Sequence, residues 1–212
     1  MISEQKVFRP QLFNAERIKE KVSHIGAACI GGFLFEDFLE ALLEEAKAAR
    51  YEVQPKYVKN VKQDLELCKL GEADEGARNR GAYDNIYALR DAYQRFLGKA
   101  TSHWGFPSEL KLNSIYLQRY RPSSFGISPH RDNPRFINLI SIFTLSGNAR
   151  FYLCNDKTGS SPHELDASPG SVILLRAPGL PGKSIERPDH YLSGPTESFR
   201  YSITLRQILK PV

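Results

Sequence analysis

What this 212-residue sequence lacks narrows its class before any motif is read. It has three cysteines, Cys29, Cys68 and Cys154, an odd number with no C-x-x-C pair. That argues against a disulfide framework or a zinc knuckle, and a reducing compartment fits best. No apolar run approaches the length needed to span a bilayer, and the opening MISEQKVFRPQLFNAERIKEK has no apolar core of a signal peptide. These absences predict a soluble, cytoplasmic protein with no membrane partner. Internal repeats and low-complexity tracts are also missing. Neither sign of charge dominates: 29 Lys+Arg against 24 Asp+Glu leave +5. That excess permits a nucleic-acid or acidic-metabolite partner without demanding one.

What is present divides into two textures within a chain long enough for one sizeable core. Glu36 to Ala49 (EDFLEALLEEAKAA) places apolar residues at three- and four-residue intervals among strong helix formers, which predicts a helix. Asp84 to Ala100 repeats the pattern, with Ile86, Leu89, Tyr93, Phe96 and Leu97 in one stripe and Asp84 or Asn85 as a cap. The polar, charged stretch from Val61 to Tyr83 between them reads as a long loop, and 61–87 as a candidate substrate lid. From Leu112 onward the runs LNSIYLQRY, FINLISIFTL, ARFYLC, SVILLRA and FRYSITLRQI are β-branched and aromatic, separated by turn material such as RPSSFG, SGN and NDKTGSSP. Such spacing favours an antiparallel sandwich or barrel. The expectation is a single domain over 1–212, mainly β with flanking helices (α+β): helical support over 1–110 and a strand-rich core over 111–212.

The chemistry-bearing residues lie in that second part. His130 and Asp132, in ISPHRDNPR, are two apart and would share one face of a strand. One further neutral imidazole on a neighbouring strand would complete a two-His, one-carboxylate face with open coordination positions, a set that suits non-haem Fe(II). His190, in RPDHYL, can supply it. On a strand, Arg200, Ser202, Thr204 and Arg206 share one face, and Tyr201, Ile203 and Leu205 the other. Two readings of that strand are open. The polar side faces water, or it lines a pocket where two buried guanidiniums need an anion, such as a dicarboxylate gripped in a bidentate fork.

The order His130-x-Asp132, His190, Arg200 and Arg206 six residues later resembles the Fe(II)/2-oxoglutarate dioxygenases, and among them the AlkB-like group, over about Asn113 to Ile208. LQRYRP is similar to the family's N-x-Y-x-P strand, with Tyr120 at the tyrosine and Gln118 where Asn is usual. The resemblance implies a double-stranded β-helix (jelly roll), with His130, Asp132 and His190 holding Fe(II). It implies 2-oxoglutarate and O2 as cosubstrates. Arg200 would clamp the far carboxylate, Arg206 would approach the chelating end, and Tyr120, Gln118, Ser202 and Thr204 would assist. The implied reaction is oxidation of a C–H bond coupled to decarboxylation of 2-oxoglutarate to succinate.

Substrate candidates divide. A base-repair enzyme needs an aromatic and cationic lid to hold a flipped nucleotide, and Arg78, Arg80 and Tyr83 have that composition. The acidic residue that base-demethylating members often carry shortly after H-x-D is replaced here by NPR. Arg131 and Arg135 instead suit an anionic small molecule. Three expectations follow: an oxygenase of a small, anionic substrate; an oxidative demethylase of alkylated nucleic acid; or a catalytically silent jelly roll that binds a ligand. Of the remaining residues, His163 is expected at the surface, His24 and His103 in structural roles, Trp104 in packing, and Cys154 as a small buried hydrophobe.

Overall fold

The computed structural model describes residues 7–72, 80–182 and 187–209. Its elements are α1 (Ala15–His24), β1 (Ala27–Ile30), α2 (Glu36–Ala48), β2 (Glu52–Val53), β3 (Tyr57–Val58), β4 (Val61–Lys62), β5 (Glu66–Glu72) and α3 (Asp84–Ala100). There follow β6 (Ser114–Tyr120), β7 (Ile127–His130), β8 (Phe136–Ser146), β9 (Phe151–Cys154), β10 (His163–Leu165), β11 (Val172–Arg176), β12 (Asp189–Leu192) and β13 (Arg200–Ile208). A major sheet runs β1-β11-β8-β13-β6-β5-β2, a minor sheet runs β10-β9-β12-β7, and β3 pairs with β4. The strand pairs in both sheets are antiparallel.

The major sheet is covered on both faces. On the outer face, α2 and α3 close an aromatic core in which Phe8 stacks on Phe33 with centroids 5.0 Å apart and Tyr93 meets Phe143 edge-on at 4.9 Å. On the inner face, Ile140, Ile142, Ile173 and Leu175 meet Phe151, Leu153 and Leu192 of the minor sheet. Each such side chain, fully buried, stabilises the fold by roughly 1.5–3 kcal/mol. The α3 stripe lies on the core side, with Phe96 half-buried. Neither Asp84 nor Asn85 caps α3. Glu45 of α2 reaches over instead, accepting from the backbone N–H of Asn85 and Ile86 at 2.8 and 3.0 Å, so the helix start is satisfied by a tertiary contact.

Two expectations are corrected. The stretch after Val61 is not a loop: β4 forms a hairpin with β3, and β5 pairs with β6 to extend the major sheet. Its charged appearance misled because Glu66, buried in β5, is neutralised by Arg119 and Arg121 from the β6 side. Nor is the first half purely helical support, since β1, β2 and β5 all belong to the major sheet. Residues 73–79 of the candidate lid lie outside the described residues.

Candidate metal and anion site

Strands β7 and β12 pair so that His190 stands opposite His130, with ring centroids 4.4 Å apart. The Nδ1 of His130 lies 2.9 Å from the Ser128 carbonyl, and that of His190 lies 3.2 Å from the Pro188 carbonyl. A carbonyl only accepts, so each Nδ1 carries the proton and each Nε2 lone pair is left for a ligand. Phe151 stacks under His190 at 5.4 Å. Asp132 follows β7 and brings Oδ2 to 3.5 Å from His190 Nε2. One donor atom from each of the three residues lies within 4.8 Å of the others.

The protonation states suit coordination. Burial pushes the His190 imidazole down to about 4, with His130 and Arg206 adding to the effect, so it is neutral at ordinary pH. Burial opposes charge on Asp132, but His190, Arg206, His130 and Arg187 together outweigh it and hold the carboxyl below its usual value. Two imidazoles and one carboxylate on one side of a cavity are a donor set for a divalent metal that keeps open positions.

Beside the triad is a small cleft, with a cavity volume of about 40 Å³, lined by Gln118, Tyr120, Ile142, Phe151, Arg200 and Arg206 among others. The β13 face of Arg200, Ser202, Thr204 and Arg206 is buried, so the water-facing reading fails. The Arg200 guanidinium donates to Ser202 Oγ at 2.9 Å and Thr144 Oγ1 at 3.3 Å and lies over the Tyr120 ring. Arg206 lies between the rings of Tyr116 and Phe136, 3.9 Å from Asp132 Oδ1. The Nε atoms of both arginines are buried with no hydrogen-bond partner, and burial pushes both guanidiniums down from their ordinary value. Buried, incompletely paired cations of this kind fit an anion in the cleft. Burial also raises the Tyr120 hydroxyl to about 12, which keeps it a donor. Thr204 donates to Gln118 Oε1 at 2.8 Å, so that pair is joined across strands.

Close backbone approaches set this geometry. Gly147, at φ +90°, abuts the start of β13, where an added Cβ would lie 2.7 Å from the Cα of Arg200. At the other end of β13, Asn138 of β8 adopts φ 64° at a bulge, donates to Gln207, and slips the register next to Arg206.

The substrate candidates separate. Arg135 donates to the Tyr116 hydroxyl at 3.3 Å, beside Arg206. Arg131, just past the end of β7, turns the opposite way: its Nε and Nη2 bind Asp189 Oδ2 at 2.8 and 2.7 Å. Tyr83 packs at Cys68, on the helix-covered face of the major sheet, away from the cleft. Arg78 and the Arg80 side chain lie outside the described residues. His163 is exposed and Trp104 buried as expected. His103 is exposed and 2.6 Å from Glu16, and His24 is exposed. Cys154 is only half-buried, because it ends β9 beside an open loop. The residues that sequence reading missed are Arg187, which donates to the Asp132 carbonyl, Thr144, Tyr116 and Asp189. Only Asp189 had a signal, as a charged residue beside a candidate ligand.

No family model and no curated protein matches the sequence. Solved structures do. A 2OG-Fe(II) oxygenase family oxidoreductase from Burkholderia pseudomallei superposes with a TM-score of 0.68 at 15% identity, covering 94% of this chain and 92% of that one. A prolyl hydroxylase from Trichoplax adhaerens, in complex with a hypoxia inducible factor peptide fragment, gives 0.64 at 14%, covering 92% and 88%. The non-heme alpha ketoglutarate dependent epimerase SnoN from nogalamycin biosynthesis gives 0.65 at 12%, covering 92% and 82%. With its two facing antiparallel sheets and flanking helices, the chain has the jelly-roll fold of the 2-oxoglutarate/Fe(II) oxygenases.

Proposed function

We propose that this protein is an Fe(II)- and 2-oxoglutarate-dependent oxygenase acting on a C–H bond of a small anionic substrate, by hydroxylation or oxidative demethylation. The observation that carries this reading is the convergence of two imidazoles, one carboxylate and two incompletely paired guanidiniums on a single cleft. His130, Asp132 and His190 would hold the iron. Arg200, with the hydroxyls of Ser202, Thr144 and Tyr120 around it, would receive the far carboxylate of 2-oxoglutarate. Arg206 would neutralise charge at the end nearest the metal. Bound there, the metal supplies oxygen activation, with 2-oxoglutarate giving succinate and CO2 as one oxygen atom goes to the substrate. The chain contributes charge compensation and orientation.

The anionic character of the substrate is supported by the cations gathered at Tyr116 and Phe136. Lys69 lies 5.6 Å from the Tyr116 centroid, Arg135 lies 5.1 Å from that of Phe136, and Arg206 contacts both rings. An AlkB-like affiliation within the fold rests on the motif order alone, and a cytoplasmic location on the absence of disulfide pairing and the sequence pattern. No described helix is long and apolar enough to cross a membrane.

The test is succinate formation from 2-oxoglutarate with Fe(II), screened against small carboxylates and phosphates and against a methylated oligonucleotide. Stimulation by the small anions supports the reading, and stimulation by the oligonucleotide alone replaces the substrate class with nucleic acid. Asp132→Ala should abolish turnover and metal binding, a larger loss than the roughly 10–100-fold expected for residues that only orient ligands. Normal turnover by this variant would refute the ligand assignment, and a wild-type chain that binds metal and 2-oxoglutarate without succinate would leave a ligand-binding jelly roll.

A further inference from the structure

The arginine inside the H-x-D motif forms a contact with no part in the chemistry described above. Arg131 lies between His130 and Asp132 and Asp189 directly precedes His190, so both are neighbours of proposed ligands. Their side chains meet behind the triad, on the opposite face of the minor sheet. Two nitrogens of Arg131, Nε and Nη2, converge on Asp189 Oδ2 at 2.8 and 2.7 Å. The Asp189 side chain is 2% exposed and that of Arg131 is 50% exposed. The other carboxylate oxygen, Oδ1, is buried with no partner. The Arg131 fork is therefore the contact that balances a buried charge.

The location gives this pair its meaning. β7 ends at His130, so Asp132 lies beyond the sheet ladder, and β12 begins only at Asp189. The pairing of β7 with β12 carries a register irregularity just after His190. Ladder hydrogen bonds therefore do little to fix the distance from Asp132 to the His190 strand. Two side-chain contacts bear on it: Arg187 to the Asp132 carbonyl, and Arg131 to Asp189. Both tie the Asp132 segment to the one that carries His190, and the second does so between residues immediately next to the proposed ligands.

We infer that Arg131 and Asp189 form a positioning clamp that sets the separation of the Asp132 carboxylate and the His190 imidazole, so that the metal meets a preformed three-residue face. This assignment rests on the reading of His130, Asp132 and His190 as metal ligands. It removes Arg131 from the substrate-binding residues. It also makes the fork geometry, and not merely the positive charge, the operative property, because a lysine presents a single ammonium on a flexible stem.

Co(II) titration of the metal-free protein tests this, read by visible absorption, with thermal unfolding of the metal-free chain in parallel. Arg131→Lys keeps a cation near Asp189 and should unfold within a few degrees of wild type. Its Co(II) affinity should fall about 10–100-fold, the usual cost of losing a group that orients ligands, with an altered Co(II) spectrum. Arg131→Gln should lose at least as much affinity and unfold at lower temperature. If Arg131→Lys binds Co(II) with wild-type affinity and spectrum, the clamp is a stabilising ion pair only and the inference is overturned. A wild-type chain that binds no Co(II) would instead overturn the metal-site reading itself, so the two failures are distinguishable.

Discussion

The two faces of β13 are equally buried and do opposite things. Tyr201, Ile203 and Leu205 point into the aromatic core under the helices, beside Leu117 and Phe143. Arg200, Ser202, Thr204 and Arg206 point into the space between the sheets, and there the burial costs stability, because guanidiniums are removed from water without full pairing. Burial alone thus does not separate a core from a site; incomplete pairing of buried polar groups does. The helix face supplies the stability that lets the inter-sheet face keep its cations ready for an anion.

The helix face is broken most severely by removing its central ring. Phe143→Ala should destabilise the fold by about 3–5 kcal/mol through lost burial and the cavity left behind, seen as a lower denaturant midpoint. The folded fraction should keep wild-type metal affinity. A loss of metal affinity in that fraction would show that the two faces are not independent.

The inter-sheet face should respond to pH. Below pH 6.5 the unfolded chain takes up a proton at His190 that the folded chain refuses until about pH 4. The unfolded state is therefore favoured increasingly as pH falls through that window. The loss for the metal-free chain is about 3 kcal/mol from this group. The lowered Asp132 acts in the same sense at more acid pH, where the unfolded carboxyl protonates first. Urea unfolding at pH 7, 5.5 and 4 checks this, and a His190→Asn chain should lose most of the slope between pH 6.5 and 4.

The smallest effect on stability sharpens the contrast most. Arg200→Met replaces a buried cation with an apolar side chain of similar length and should leave the unfolding free energy unchanged or raise it by about 1 kcal/mol. The concentration of 2-oxoglutarate needed for half-maximal turnover should rise at least about tenfold, the weight of one lost bidentate contact. If stability collapsed instead, Arg200 would belong to the core.

Most of the strands were readable because their side chains advertise burial: FINLISIFTL and SVILLR are continuous apolar runs, and both became central strands, β8 and β11. β1 is too short to show a period. β5 was hidden by Glu66 and Lys69, whose charges suggested solvent. Glu66 is buried only because Arg119 and Arg121, more than fifty residues away, neutralise it. The site followed the same rule. Residue types and their order pointed to the three candidate ligands and the two arginines, which the fold brings to one cleft, while the contacts of Tyr83 with Cys68 and of Arg131 with Asp189 were not readable because the fold sets those partners.

What the sequence determined by itself is periodic and local: which residues share a strand face, that His130 and Asp132 could act together, and that Arg200 to Arg206 form one row. What only the tertiary structure decided is what each face meets. Alternation divides a strand into two sides but carries no information about the layer opposite. Helices covered one side of β13 and the minor sheet closed over the other, turning a row that could have faced water into the wall of a buried cationic cleft.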